Sequence, residues 1–319
     1  MNKWNLIVDV ARCENCNNCT LAAKDELVGN EFPGYTAPHA AQGPGVMRIR
    51  RRVRGATPMV DAAYLPVMCN HCDNAACIKA AGGDGTIRKR EDGIVIIDPV
   101  KAKGRRDLVD ACPYGAIVWN EEQQLPQNWF FDAHLLDAGA AAPRCVGVCP
   151  TEVFRAVKTS DAAMGEIASR EGLRVLEPQL GTRPRVWYKN LARFDHCFIG
   201  GTVSRTGAGV RDCVAGAAVE LYHNDSLVMS ATTDAFGDFR FDGLAPASGD
   251  YEVRVRHGSD SRKLAVTLRE DSVYIGEIAL ANAVAPSCSA GRCLKSLEVT
   301  DYCDSVGLTG AAGVTRGCG

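Results

Sequence analysis

"CENCNNCTLAAK", residues 13–24, decides how this chain is read. Cys13, Cys16 and Cys19 have the two-residue spacing of an iron–sulfur run, in which consecutive thiolates reach different irons of one cluster. The position four beyond Cys19, where such a run normally carries its last cysteine, is Ala23. One thiolate must therefore come from elsewhere in the chain.

A second run, "CNHCDNAACIKAA" at residues 69–81, repeats the problem: Cys69, Cys72 and Cys77 are followed at the fourth position by Ala81. Two Cys-Pro pairs stand outside the runs, Cys112–Pro113 in "ACPYGAIVWN" and Cys149–Pro150 in "CVGVCPTEV". In ferredoxin-type runs the cysteine before proline serves the other cluster. Three donors plus one, twice, predicts two [4Fe-4S] clusters. Nesting of the halves gives Cys13, Cys16 and Cys19 with Cys149, and Cys69, Cys72 and Cys77 with Cys112. Two structural zinc sites of four thiolates each are the alternative. Three closely spaced cysteines with a remote Cys-Pro donor suit a cubane better. His71, inside the second run, is expected behind the ligands and not among them.

Cys145 is left over, four residues before Cys149. Upstream, Trp129 and Asp132 share a two-residue spacing but supply no thiol. A cluster built from that run would draw its last ligand from the position of Ala23, so three of four ligands are absent together. Loss of one whole cluster accounts for this. Rescue of the site by Asp132 or His134 with Cys145 is the lesser reading.

The chain has 319 residues and fifteen cysteines, nine of them between Cys13 and Cys149 and four from Cys288 onward. A formal charge of −2 gives no electrostatic case for nucleic acid or an anionic membrane. "MNKWNLIVDV" reads as a strand and not as an export signal, and no apolar run approaches the ~18 residues of a membrane span. Cysteines in tight runs then indicate metal in a cytoplasmic chain.

"VMRIRRRVR", residues 46–54, carries five arginines: a solvated strand face, a docking surface for an acidic partner, or positive charge that eases reduction of a nearby cluster. "TSDAAMGEIASREG" predicts a helix capped by Ser160 or Asp161 and stopped by Gly172. "GIVIIDPVKAKGRRDLVDACPYGAIVWN" reads as strand, short helix, Cys-Pro turn and strand. From residue 196, short alternating segments separated by Gly, Asp and Asn turns predict an antiparallel sandwich. Asp234, Asp238 and Asp242 are read as turn formers there, not calcium ligands. The expected architecture is an α+β ferredoxin-type iron–sulfur domain with its linker over 1–195, then a small all-β, immunoglobulin- or transthyretin-like sandwich over 196–281. A weakly ordered tail over 282–319 follows.

"IVDVARCENCNNC", "KREDGIVIIDPVKAKG", "CPYGAIVWNEE", "AHLLD", "LGTRPRVWYKNLARF" and "TDAFGDFRFDGL" together resemble the small, iron–sulfur subunits of pyrogallol–phloroglucinol transhydroxylases, within the dimethyl sulfoxide reductase family of molybdopterin enzymes. The likeness runs from about residue 4 to 280. It implies a non-catalytic electron-transfer subunit, docked in a heterodimer on a large catalytic subunit that holds molybdenum and molybdopterin guanine dinucleotide. That partner acts on polyhydroxylated aromatics. The resemblance also implies three cubanes, with cysteines at the positions of Ala23, Trp129 and Asp132; this chain retains ligands for two. No residue is assigned a catalytic role. A scaffold, in which clusters or zinc only hold the fold together, is the alternative function.

Overall fold

The computed structural model describes residues 1–207 and 209–280. The expected tail, with its four cysteines from Cys288, lies outside them. The first strand, Lys3–Asp9, pairs antiparallel with Phe154–Thr159 and parallel with Val186–Lys189. Its alternation places two different surfaces in contact with apolar neighbours. Leu6 and Val8 join the core that holds the first cysteine run, while Ile7 packs with Met164, Ala168 and Leu173 of the helix Asp161–Glu171 and its C-terminal turn. That helix has the expected caps: the Ser160 side chain accepts from the Ala163 amide, and Gly172 takes the left-handed conformation at φ 63°.

Three two-stranded hairpins complete this part: Arg48–Ala56 with Met59–Val67, Ile87–Lys89 with Val95–Ile97, and Ile117–Asn120 with Leu125–Asn128. Between the last two lies the short helix Asp107–Asp110, in the strand, helix, Cys-Pro, strand order that the sequence indicates.

The C-terminal part is two facing sheets. Cys197–Gly207 pairs antiparallel with Val210–Cys213 and Asp238–Leu244 but, contrary to the antiparallel expectation, parallel with Val273–Leu280; the second sheet runs Ser226–Thr232, Ala218–His223, Gly249–His257, Asp260–Leu268. Inward residues such as Ile199, Val219, Phe241, Val253 and Ile278 form its core. Asp234 Oδ1 accepts from the amides of Phe236 and Asp238, as a turn former does. Asp238 and Asp242 are not turn formers: both lie within the strand Asp238–Leu244, where Asp238 accepts from the Thr202 hydroxyl and Asp242 meets the arginine hairpin.

Arg48, Arg50 and Arg51 of that hairpin are exposed, as a solvated strand face has them, whereas Arg52 is half-buried and Arg54 is buried. Arg54 is fully buried: it pairs with Asp61, donates to both oxygens of Asp242 at 2.8 and 3.0 Å, and lies over the Phe198 ring. Arg52 donates to the carbonyls of Phe194 (2.8 Å) and Glu270 (3.1 Å). Arg48 reaches the Gly115 carbonyl, and Arg50 that of Tyr114 at 3.4 Å. The cationic strand fastens the sandwich and the Cys112 turn to the N-terminal part. Gly55 (φ 77°) permits the close approach, since a Cβ there would lie 2.5 Å from Phe198 Cζ.

Candidate metal centres

One local unit recurs four times. Cys19 is the second residue of the helix Asn18–Leu27, Cys77 of Ala76–Ala80, Leu108 of Asp107–Asp110 and Cys145 of Arg144–Val148. Four residues beyond these stand Ala23, Ala81, Cys112 and Cys149 respectively. The two Cys-Pro turns are equivalent in detail: the Ala116 amide donates to Cys112 Sγ at 3.4 Å, and the Val153 amide to Cys149 Sγ at 3.3 Å. In each, the amide four residues on is turned back to the sulfur before a strand begins.

Cysteines of each run lie near a Cys-Pro cysteine, and Cys145 lies near Cys19 and Cys149 as well. Cys69, Cys72, Cys77 and Cys112 line one pocket of about 430 Å³ empty volume, with Val95, Ile97 and Ile117 among its apolar walls. Burial, then the nearby Cys112 and Cys72, push the Cys77 thiol up to about 11. Burial raises Cys72 to about 11 as well and drives Cys69 higher. In the first group burial lifts Cys13, reinforced by Cys149 and Cys16, and lifts Cys19 to about 11, with Cys13 and Cys149 adding to it. The four thiols that line the second pocket, close together and largely buried, cannot all ionise unaided. Positive charge among them removes that conflict, and thiolates are the ligands iron–sulfur clusters take. The donor sets fit the group.

His71 stands behind the second set. Its Nδ1 accepts from the Val95 amide at 3.0 Å and lies 3.9 Å from Cys69 Sγ. Burial lowers its pKa to about 3, so the ring is neutral and carries its proton on Nε2.

Ala23, Trp129 and Cys145 all enter the core around the first run, and Asp132 is buried beside them. The Trp129 indole N–H donates to Asp132 Oδ1 at 3.1 Å, and the Arg144 amide donates to Oδ2 at 2.8 Å. A large ring and a satisfied carboxylate stand where the resemblance implies thiolates. His134 is bound to Glu26 at 2.8 Å, with its ring 4.0 Å from that of Phe32.

A second degenerate run escaped the sequence reading. Ala102, Arg105 and Leu108 precede Cys112 at the spacing of a complete cysteine run, and Ala81, Ala102 and Leu108 pack together in one apolar core. The signal was present in the spacing but hidden by the absence of cysteine. Asn70, Asn128 and Thr182, which also line the second pocket, had no local signal at all.

Helix-start and Cys-Pro units that carry cysteine at cluster spacing define the class as an iron–sulfur subunit. Residues 60–159 match the 4Fe-4S dicluster domain, and 199–281 match the carboxypeptidase regulatory-like domain. The chain is 43% identical over 283 residues to the pyrogallol hydroxytransferase small subunit of Pelobacter acidigallici, covering 88% of this chain and 100% of that one. It is 30% identical to a tetrathionate reductase subunit of Salmonella typhimurium, covering 60% and 73%. The arsenate respiratory reductase iron–sulfur subunit of a Shewanella strain is 25% identical, covering 57% and 94%. The chain belongs to the family of the pyrogallol hydroxytransferase small subunit, among the iron–sulfur subunits of molybdopterin oxidoreductases.

Proposed function

We propose that this chain is the electron-transfer subunit of a heterodimeric molybdenum enzyme acting on polyhydroxylated aromatics, and that its N-terminal part is a ferredoxin-type domain holding two [4Fe-4S] clusters. Cys13, Cys16, Cys19 and Cys149 hold one; Cys69, Cys72, Cys77 and Cys112 hold the other. The nearness of each three-cysteine run to a Cys-Pro cysteine carries this reading. Such clusters, when bound, exchange single electrons at potentials set by burial, charge and hydrogen bonds to sulfur. The chain's own part is to aim the amides of Ala116 and Val153 at sulfur, and to fix Cys19 and Cys77 at helix starts and Cys112 and Cys149 at Cys-Pro turns.

The partner is a large catalytic subunit carrying molybdenum and molybdopterin guanine dinucleotide. The substrate class follows from the 43% identical relative. The third cluster that the resemblance implies is absent, its site filled by Ala23, Trp129 and Asp132. A cytoplasmic location is proposed, and no helix among the described residues is long and apolar enough to cross a membrane.

Zinc fits less well. It needs thiolates about 2.3 Å from one centre, and among the described residues no three His, Cys, Asp or Glu side chains converge to hold a single ion. Thiols spread around a shared pocket suit a cluster, whose corners are separate irons. Anaerobically prepared protein is expected to be brown, to bleach with dithionite and to contain about eight irons. Colourless protein with tightly bound zinc would establish the scaffold function instead; about twelve irons would show that the third site is filled.

A further inference from the structure

A network of charged side chains from distant parts of the chain meets at the second cysteine loop. Lys89 ends the strand Ile87–Lys89, opposite Val95 of the next strand. Its ammonium donates to the carbonyls of His71 at 2.8 Å, Cys72 at 2.9 Å and Gly93 at 3.1 Å, and lies 2.8 Å from Asp73 Oδ1. Every one of these neighbours is an acceptor. An ammonium has three protons and no lone pair, so the charged form is the one this cage holds.

Asp73, directly after Cys72, brings a negative charge to the same place. The buried Arg185 donates to both of its oxygens, at 2.8 and 2.6 Å, and also to Asp161 at 2.8 Å. Lys3 lies 3.7 Å from Asp73 and 3.0 Å from Asp161. Backbone bonds hold the two segments together: the Asp73 amide donates to the Arg183 carbonyl at 2.9 Å, and the Arg185 amide to that of Asn70 at 2.8 Å. Gly93 (φ 90°) leaves room for the guanidinium stem, since a Cβ there would lie 3.0 Å from Arg185 Cδ. Within this network three cations, Lys3, Lys89 and Arg185, face two carboxylates, Asp73 and Asp161, and one positive charge is left over. Asp161 is also exposed, so water screens its charge more than that of Lys89.

We infer that Lys89, braced by Asp73 and Arg185, fixes a positive charge against the second cysteine loop and raises the reduction potential of the cluster held there. The inference rests on the ligand assignment proposed above. A cluster gains one negative charge on reduction, so a fixed cation beside it favours the reduced state and a carboxylate opposes it. Lys89 and Asp73 therefore act on the potential with opposite signs, although both support the same loop. A purely structural role would not separate them in that way.

The test is EPR-monitored potentiometry on the full chain, with iron analysis of each variant; the second cluster's signal is the one that Cys112→Ser removes or reshapes. A unit charge beside a partly buried site, at an effective dielectric of about 20, changes a one-electron ratio by about tenfold. Lys89→Met is therefore expected to lower that midpoint by about the 59 mV that a tenfold change represents. Asp73→Asn should raise it, and the other signal should stay in place in both variants. An unmoved midpoint in Lys89→Met, a midpoint in Asp73→Asn that does not rise, or equal shifts of both signals would overturn the inference while leaving the clusters themselves established. Should Lys89→Met lose iron, Asp73→Asn still reads the sign with the lysine in place and nearly the same shape beside it. Wild-type protein without either signal would instead refute the cluster assignment.

Discussion

Asp132→Asn separates a filled cluster site from a disguised ligand. Asp132 is 3% exposed and its two oxygens accept from two buried donors, the Trp129 indole and the Arg144 amide. Asparagine has nearly the same shape but one oxygen and one NH2, so whichever way the amide turns, one donor faces another donor. Leaving a buried donor unsatisfied costs about 1–3 kcal/mol. Domains of 150–250 residues lose roughly 2–4 °C of apparent melting temperature per kcal/mol, and a chain of 319 residues loses less.

The expected result at pH 7 is therefore a fall of a few degrees with the iron content unchanged. A pH series adds a second reading. Burial raises the Asp132 pKa above its ordinary 3.8, outweighing the two hydrogen bonds that lower it. The native state then takes up this proton at higher pH than the unfolded chain, so the group's contribution is full below the unfolded pKa and lost as pH rises through the folded one. The Asp132→Asn variant should lack that slope. Thermal scans of both proteins, with iron determined on the same samples, decide the matter. Loss of iron in the variant would make Asp132 a ligand and refute the account of the filled site; an unchanged melting temperature would refute the hydrogen-bond reasoning.

Cys112→Ser should abolish or reshape one of two paramagnetic signals and spare the other, and Cys149→Ser should do the converse; equal changes in both signals from either variant would break the proposed pairing. Arg54→Met should destabilise the chain by about 3 kcal/mol, near the lower end for losing one partner of a buried ion pair, because Arg193 and Arg240 remain within 3.2 and 3.7 Å of Asp61. Denaturant unfolding measures this, and a change below ~1 kcal/mol, the scale of an exposed ion pair, would show that the arginine does not fasten the sandwich.

The cysteine spacing was legible because a cluster constrains residues only a few positions apart, and the Cys-Pro donors announced themselves by an unusual dipeptide. The helix Asp161–Glu171 was equally local, with Ser160 and Gly172 marking its ends. The arginine hairpin was legible only in part, because Arg54 shares the pattern of an exposed cationic strand with Arg48, Arg50 and Arg51, which are exposed. Only the approach of Asp242, 188 residues away, turns Arg54 into a buried staple. Ala102 and Leu108 were passed over for a different reason: a run without cysteine looks like ordinary apolar sequence until its helix is seen in the same place as the others.

By itself, then, the amino-acid order determined which sulfurs exist, how they are spaced, and that two runs each lack a donor, since these follow from short-range covalent geometry. Tertiary structure alone decided which distant side chains meet: Thr182 in the wall of the second pocket, Asp242 against Arg54, and the Trp129 indole on the Asp132 carboxylate beneath the Arg144 amide. Such contacts depend on burial and hydrogen bonding between segments far apart in the chain, and no local pattern encodes them.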